Sequence, residues 1–207
     1  IDLPGESRTD TVVYYVGEDA PYANLQIGPA ELATCSFGQG FNTSMVQVAS
    51  AFSSCINGGY YYQPQIVKQI QDENGNVLES YNPVLLRRTV SKETSDLLRT
   101  YMEETMITGT GQTAMVEGYS IGAKTGTAEK QPRIEKKYVL SFLGFAPVDN
   151  PEVVIYVVID EPNIPEQDES IYCTTLAKDI MEEIFPYLGI ERAPIEEPEA
   201  VTDATVE

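Results

Sequence analysis

The sequence predicts an α+β fold in which helices cover an antiparallel sheet. Three observations carry that expectation. Two strongly apolar runs, 138–146 and 152–160, are joined only by a link around Asp149-Asn150-Pro151, and so short a connection suits antiparallel neighbours. Stretches with helical periodicity alternate along the chain with strand-like ones rather than with a strict βαβ rhythm. The chain has 207 residues, 42% apolar and 22% charged, which is ordinary for a globular domain with a sizeable core.

Residues 1–40 read as irregular, because Pro4-Gly5, Gly17, Pro21, Gly28-Pro29, Gly38 and Gly40 interrupt every short run. A helix is expected over 43–57. Met45, Ala49, Phe52 and Ile56 recur at i, i+4, i+7 and i+11, and Gly58-Gly59 supplies the stop. The tyrosines Tyr60-Tyr61-Tyr62 should pack against or flank a strand. A hairpin follows: residues 65–71 alternate around Ile66 and Ile70, Asn74-Gly75 is the turn signal, and Val77-Leu78 begins the return.

Ser91 is the expected N-cap of a second helix, with Leu97, Leu98, Tyr101, Met102 and Met106 on one broad face. Gly109-Thr110-Gly111 ends it. Three consecutive antiparallel strands are then expected near 119–128, 138–146 and 152–160. A last helix over 174–188 should pack across them through Leu176, Ile180, Ile184 and Leu188, with Pro186 as a candidate break. Residues 189–207 hold six acids against Arg192 alone and include prolines without periodicity, so they read as an acidic, disordered tail after a body of 1–188.

Composition excludes several classes of chemistry. The chain has no histidine, so Ser-His-Asp and Cys-His catalysis and His-ligated zinc or haem are impossible within it. Cys35, Cys55 and Cys173 are odd in number and widely spaced, which suits small apolar-face thiols rather than a disulfide framework. Acids outnumber bases 32 to 13, for a net charge of −19, and phosphate backbones repel such a surface. No nucleic-acid partner is expected. The longest purely apolar run, 153–159, is far too short for a membrane span. Ile1-Asp2-Leu3-Pro4-Gly5 reads as the interior of a longer protein.

The chemistry concentrates at Lys124-Thr125-Gly126-Thr127. A lysine and two hydroxyls on a strand, with a glycine that admits close approach, suit a carboxylate-binding edge. A free strand N–H there can also serve an oxyanion. Lys-Thr-Gly alone arises by chance in roughly one chain of this length in twenty. Its setting makes it specific. The tripeptide accompanies Ser-x-x-Lys and Ser-x-Asn in penicillin-binding proteins and class A β-lactamases. Further blocks stand in order: residues 1–6 (IDLPGE), 36–40 (SFGQG), 57–59 (NGG), 109–111 (GTG), 123–130 (AKTGTAEK) and 141–147 (SFLGFAP). Through them the chain resembles the monofunctional, class B penicillin-binding proteins over nearly its whole length. The fit is closest to the division- and sporulation-type members of low-GC Gram-positive bacteria.

The resemblance implies the C-terminal part of a penicillin-binding transpeptidase domain, with the fold shared by β-lactamases. It implies a D,D-transpeptidase that cross-links peptidoglycan stem peptides through an acyl-serine and is acylated by β-lactams, with no cofactor or metal. Lys124 and Thr125 match residues that hold the substrate's terminal carboxylate. Thr127 matches the position whose hydroxyl helps hold that carboxylate and whose N–H completes the oxyanion hole. Partners are then stem peptides, β-lactams and other cell-wall synthesis proteins. The expected site is the outer face of the bacterial membrane, with the anchor in a segment outside this chain.

One departure is large. No serine here has lysine three residues on, so the family's nucleophile and base are expected upstream of Ile1 and this chain alone is expected to be inactive. Thr127-Ala128-Glu129-Lys130 has the spacing but lies on the lysine-threonine-glycine strand itself, where a structural role fits better. Ser80-Tyr81-Asn82 spells Ser-x-Asn but follows the hairpin turn, and reads as a strand end. The glycines of 36–40, 57–59 and 109–111 read as turns and helix stops, with a supporting role in the active-site wall as the alternative for 36–40. Asp149, Asp160 and Glu161 read as solvated or capping acids. Two alternatives to a transpeptidase remain: a β-lactam sensor or serine β-lactamase on the same fold, and a non-catalytic interaction module.

Overall fold

The computed structural model describes residues 12–13, 28–130 and 132–192. The IDLPGE block and most of the acidic tail lie outside them. β1 (Val12–Val13) pairs antiparallel with a strand that follows the first helix, α1 (Pro29–Ser36). That helix corrects the expectation of an irregular start. Gly28 and Pro29, read as breakers, are its N-cap and first residue, where proline's missing N–H costs nothing. The Glu31 carboxylate accepts from the Gly28 N–H at 3.0 Å and closes the end.

β2 (Phe41–Asn42) leads into α2 (Met45–Ile56). The Ser44 hydroxyl accepts from the Gln47 N–H at 3.2 Å while the Gln47 side chain accepts from the Ser44 N–H at 3.0 Å, a reciprocal cap. Phe52 and Ile56 are buried as the periodicity requires, but Met45, in the first turn, is exposed. β3 (Tyr60–Tyr62), β4 (Gln69–Gln71), β5 (Val77–Ser80) and β6 (Leu85–Arg88) then form two small antiparallel pairs, β3 with β6 and β4 with β5. The Arg87 and Arg88 guanidinium groups sit 4.7 and 4.8 Å over the Tyr61 and Tyr60 rings. The hairpin turn is longer than two residues. The Asp72 carboxylate closes it, accepting from the Asn74 and Asn76 N–H groups at 2.9 and 2.8 Å.

α3 (Lys92–Ile107) is capped by Ser91 as expected. Its inward face is narrower than the periodicity suggests, since Leu97 and Tyr101 are 51% and 60% exposed. A polar contact displaces that face: buried Ser95 accepts from the Gly58 N–H at 2.9 Å, and Arg99 donates to the Ile56 carbonyl at 3.0 Å. A 3-10 turn (Gln112–Ala114) precedes β7 (Gly122–Glu129). β8 (Tyr138–Ala146) and β9 (Val153–Asp160) complete a three-stranded antiparallel sheet in the order β7-β8-β9. The register runs Thr125 to Phe142 and Leu143 to Tyr156.

β8 is buried on both faces, so alternate residues serve two cores. Leu140, Phe142 and Ala146 join the larger one with the final helix, α4 (Ile171–Leu188). Leu143 and Phe145 join the other with Phe52 and Ile56 of α2, where the Phe52 and Phe145 rings meet edge to face at 5.9 Å. The result is a helix on each side of an antiparallel sheet, the expected α+β layering.

α4 differs in phase from the sequence reading. Cys173, Thr174, Ala177, Met181 and Phe185 are buried, while Leu176 is 43% exposed and Leu188 is exposed; Ile180 and Ile184 flank the core. The inward face is turned by about one residue because the small side chains at 173 and 177 let the helix come close to the crowded sheet. Burial also pushes the Cys173 thiol pKa up, so it is an inert core group. Pro186 does not break the helix. It ends at left-handed Gly189, whose N–H bonds the Pro186 carbonyl at 3.2 Å while that of Ile190 bonds Phe185 at 2.9 Å. Ile190 is buried and the Arg192 guanidinium lies over the Tyr119 ring. Gly189 thus caps the helix and Ile190 packs into its core, at the start of the segment expected to be tail; 193–207 lie outside the described residues.

Candidate active site

β7 sits at one edge of its sheet, paired on one side only, with β8, among the described residues. Strand alternation determines what its other edge presents. The Thr105 hydroxyl of α3 donates to the Ala123 carbonyl, and the Lys124 ammonium donates to the Thr125 carbonyl at 2.6 Å. Residues 123 and 125 thus turn their backbone groups away from the β7–β8 ladder. The register is regular from Gly122 to Glu129, so the N–H and carbonyl of Thr127 project from the same outer edge.

Side chains follow the complementary alternation. Thr125 and Thr127 lie opposite Phe142 and Leu140, on the α4 face of the sheet, while Lys124 and Gly126 lie opposite Leu143 and Ser141. Gly126 admits close approach: a Cβ there would stand 2.5 Å from the Ser141 hydroxyl, which would have to turn aside. Lys124 and Thr127 are exposed, and Thr125 is half-buried with its hydroxyl 2.6 Å from that of Thr110. The four residues singled out by sequence therefore occupy one exposed strand edge carrying an ammonium, two hydroxyls and an outward N–H. That set suits an anion with a carboxylate and a polarised carbonyl oxygen.

Lys130, just beyond the far end of the same strand, has a structural place. Its ammonium bridges Asp160 at 2.9 Å and Glu161 at 2.6 Å, and Lys137 reaches Glu161 at 3.5 Å. The Lys130 bond to Glu161 raises the lysine's pKa and lowers that of the carboxyl. Asp160 and Glu161, read from sequence as solvated or capping acids, are thus the partners that tie the start of the β7–β8 loop to the end of β9. Among the described residues no group of three or more His, Cys, Asp or Glu side chains could hold a metal ion. No described helix is long and apolar enough to cross a membrane.

Sequence reasoning missed Thr105, Thr110 and Ser141 as neighbours of this strand. The one signal in the sequence is the hydroxyl between Gly109 and Gly111, within a block that the sequence marks as a turn and a family match but does not connect to this strand.

Lys-Thr-Gly along an open sheet edge is one of the motifs that mark penicillin-binding proteins and class A β-lactamases as a class. Residues 7–182 match the profile of the penicillin binding protein transpeptidase domain. The chain belongs to that family. It is 36% identical over 195 residues to stage V sporulation protein D of Bacillus subtilis, covering 92% of this chain and 29% of that protein. It is 32% identical over 164 residues to a probable peptidoglycan D,D-transpeptidase PenA of Neisseria flavescens, covering 77% of this chain and 38% of that one. The structure of penicillin binding protein 3 from Mycobacterium tuberculosis, complexed with ampicillin, superposes with a TM-score of 0.73 at 26% identity, covering 99% of this chain and 46% of that one. The chain thus spans about a third of the curated relatives named here and under half of that solved structure.

Proposed function

We propose that the protein carrying this chain is a peptidoglycan D,D-transpeptidase, and that β7 supplies its carboxylate-binding edge and one oxyanion donor. The observation behind this reading is the outer edge of β7, where Lys124, Thr125 and Thr127 share one exposed strand. A serine from a segment preceding Ile1 attacks the carbonyl of the D-Ala-D-Ala bond. Negative charge builds on that carbonyl oxygen, where the Thr127 N–H donates; one such donor is worth about 3–4 kcal/mol of barrier. The terminal carboxylate lies against Lys124 and the hydroxyls of Thr125 and Thr127. D-Ala leaves, and an amine of a neighbouring stem peptide attacks the acyl-serine, releasing the serine and forming the cross-link. A β-lactam presents a similar carboxylate and carbonyl and acylates the same serine. The names of the relatives, peptidoglycan transpeptidases and a sporulation protein, favour cross-linking over a sensor or hydrolase. The reading puts the protein at the outer face of the membrane, working with other cell-wall synthesis proteins.

The test is Lys124→Ala in the full-length protein. Loss of a charged partner costs about 1.5–3 kcal/mol, so acylation by both stem peptide and β-lactam should fall roughly ten- to more than a hundredfold. An unchanged second-order rate refutes the carboxylate role. The isolated 207-residue chain should form no penicilloyl adduct, since it holds no Ser-x-x-Lys. Stoichiometric acylation of it, seen by mass spectrometry, overturns the assignment of the nucleophile.

A further inference from the structure

The Gly109-Thr110-Gly111 turn is built against the edge strand in a way its sequence reading as a helix stop does not explain. The N–H groups of Gly109 and Gly111 both donate to the Thr105 carbonyl, at 3.2 and 3.1 Å, so the turn folds back over the last turn of α3. That approach demands glycine at 109, where a Cβ would lie 2.8 Å from the Thr105 carbonyl oxygen. Thr105 in turn donates its hydroxyl to the Ala123 carbonyl, which ties the same helix end to β7. The outcome is that the one side chain in the turn, Thr110, reaches β7 and meets the Thr125 hydroxyl at 2.6 Å.

Either oxygen can be the donor in this pair. Each hydroxyl has a single proton, so a bound anion decides the direction. We propose that Thr110 is a positioning residue for ligand carboxylate: its hydroxyl donates to Thr125, which frees the Thr125 proton to donate to the carboxylate. This rests on the carboxylate-holding role proposed above for β7. The directed chain Thr110 to Thr125 to carboxylate is strengthened at each link, because a hydroxyl that accepts a hydrogen bond becomes a better donor and an ionised acceptor is the strongest terminus. Thr110 touches no ligand. It holds the Thr125 hydroxyl in the direction that binding needs.

The experiment compares acylation of the full-length protein by benzylpenicillin and by its methyl ester, which masks the carboxylate. Thr110→Val keeps the shape and removes the donor. It should reduce the preference for the acid over the ester about three- to tenfold, the size expected for one neutral hydrogen bond. Thr110→Ser should restore the preference, and Thr110→Val should add nothing in a Thr125→Val background, since the two hydroxyls act as one unit. Melting temperatures confirm that each variant is folded. Equal slowing of acid and ester, or additive losses in the double variant, overturns the proposal. A wild-type protein that prefers the acid, with Thr110→Val keeping that preference, overturns it alone. A wild-type protein acylated by neither probe overturns the transpeptidase reading and this one with it.

Discussion

Thr127→Pro in the full-length protein should lower second-order acylation by about a hundred- to a thousandfold, the cost of removing one oxyanion donor. Thr127→Ala should lose far less, because it removes the hydroxyl and keeps the N–H. The contrast isolates the backbone group. Proline in a central strand breaks a ladder bond, but the Thr127 N–H faces away from β8, on the edge where a proline is tolerated. Circular dichroism should therefore show both variants folded. Equal rate losses for the two substitutions would refute the oxyanion assignment.

The second large effect is on stability. Phe185→Ala should destabilise the protein by about 3–5 kcal/mol, as large aromatic truncations in a packed core do. Phe185 is fully buried in the core shared by α4 and the sheet, and its ring lies 4.9 Å from that of Tyr119. Leu176→Ala, on the same helix, should cost under about 1 kcal/mol because that side chain is 43% exposed. Denaturant unfolding of the two variants decides between the structural face of α4 and the face that apolar periodicity alone would choose. Equal destabilisation would mean that the helix is turned as the periodicity suggests.

The case of α4 shows what periodicity can and cannot supply. Leu176, Ile180, Ile184 and Leu188 repeat every four residues, and so do Cys173, Ala177, Met181 and Phe185. Both series announce a helix over nearly the same span. Only the sheet beneath, with Phe142 filling its surface, selects the series that begins with small side chains. α1 went unseen for a different reason. Glycine and proline mark both loops and helix starts, and the Glu31 side chain that caps Gly28 decides which.

By itself the sequence determined the α+β class, the helix α2, the Ser91-capped start of α3, the hairpin at Asn74-Gly75 and the β8–β9 pairing, and it singled out the strand segment on which the proposed site lies. These features depend on residues close together in the chain, whose spacing and stereochemistry act before any tertiary contact forms. Tertiary structure alone decided the phase of α4, the buried place of Ile190, the bridging of Lys130 to Asp160 and Glu161, and the meeting of Thr110 with Thr125. Each of these is a choice among positions that local chemistry leaves equal. Thr125 has one hydroxyl, and nothing local says whether solvent, ligand or Thr110 will meet it. That is settled by α3, which carries Thr110 to β7 because its own end is folded back by two glycines and tied to the Ala123 carbonyl by Thr105.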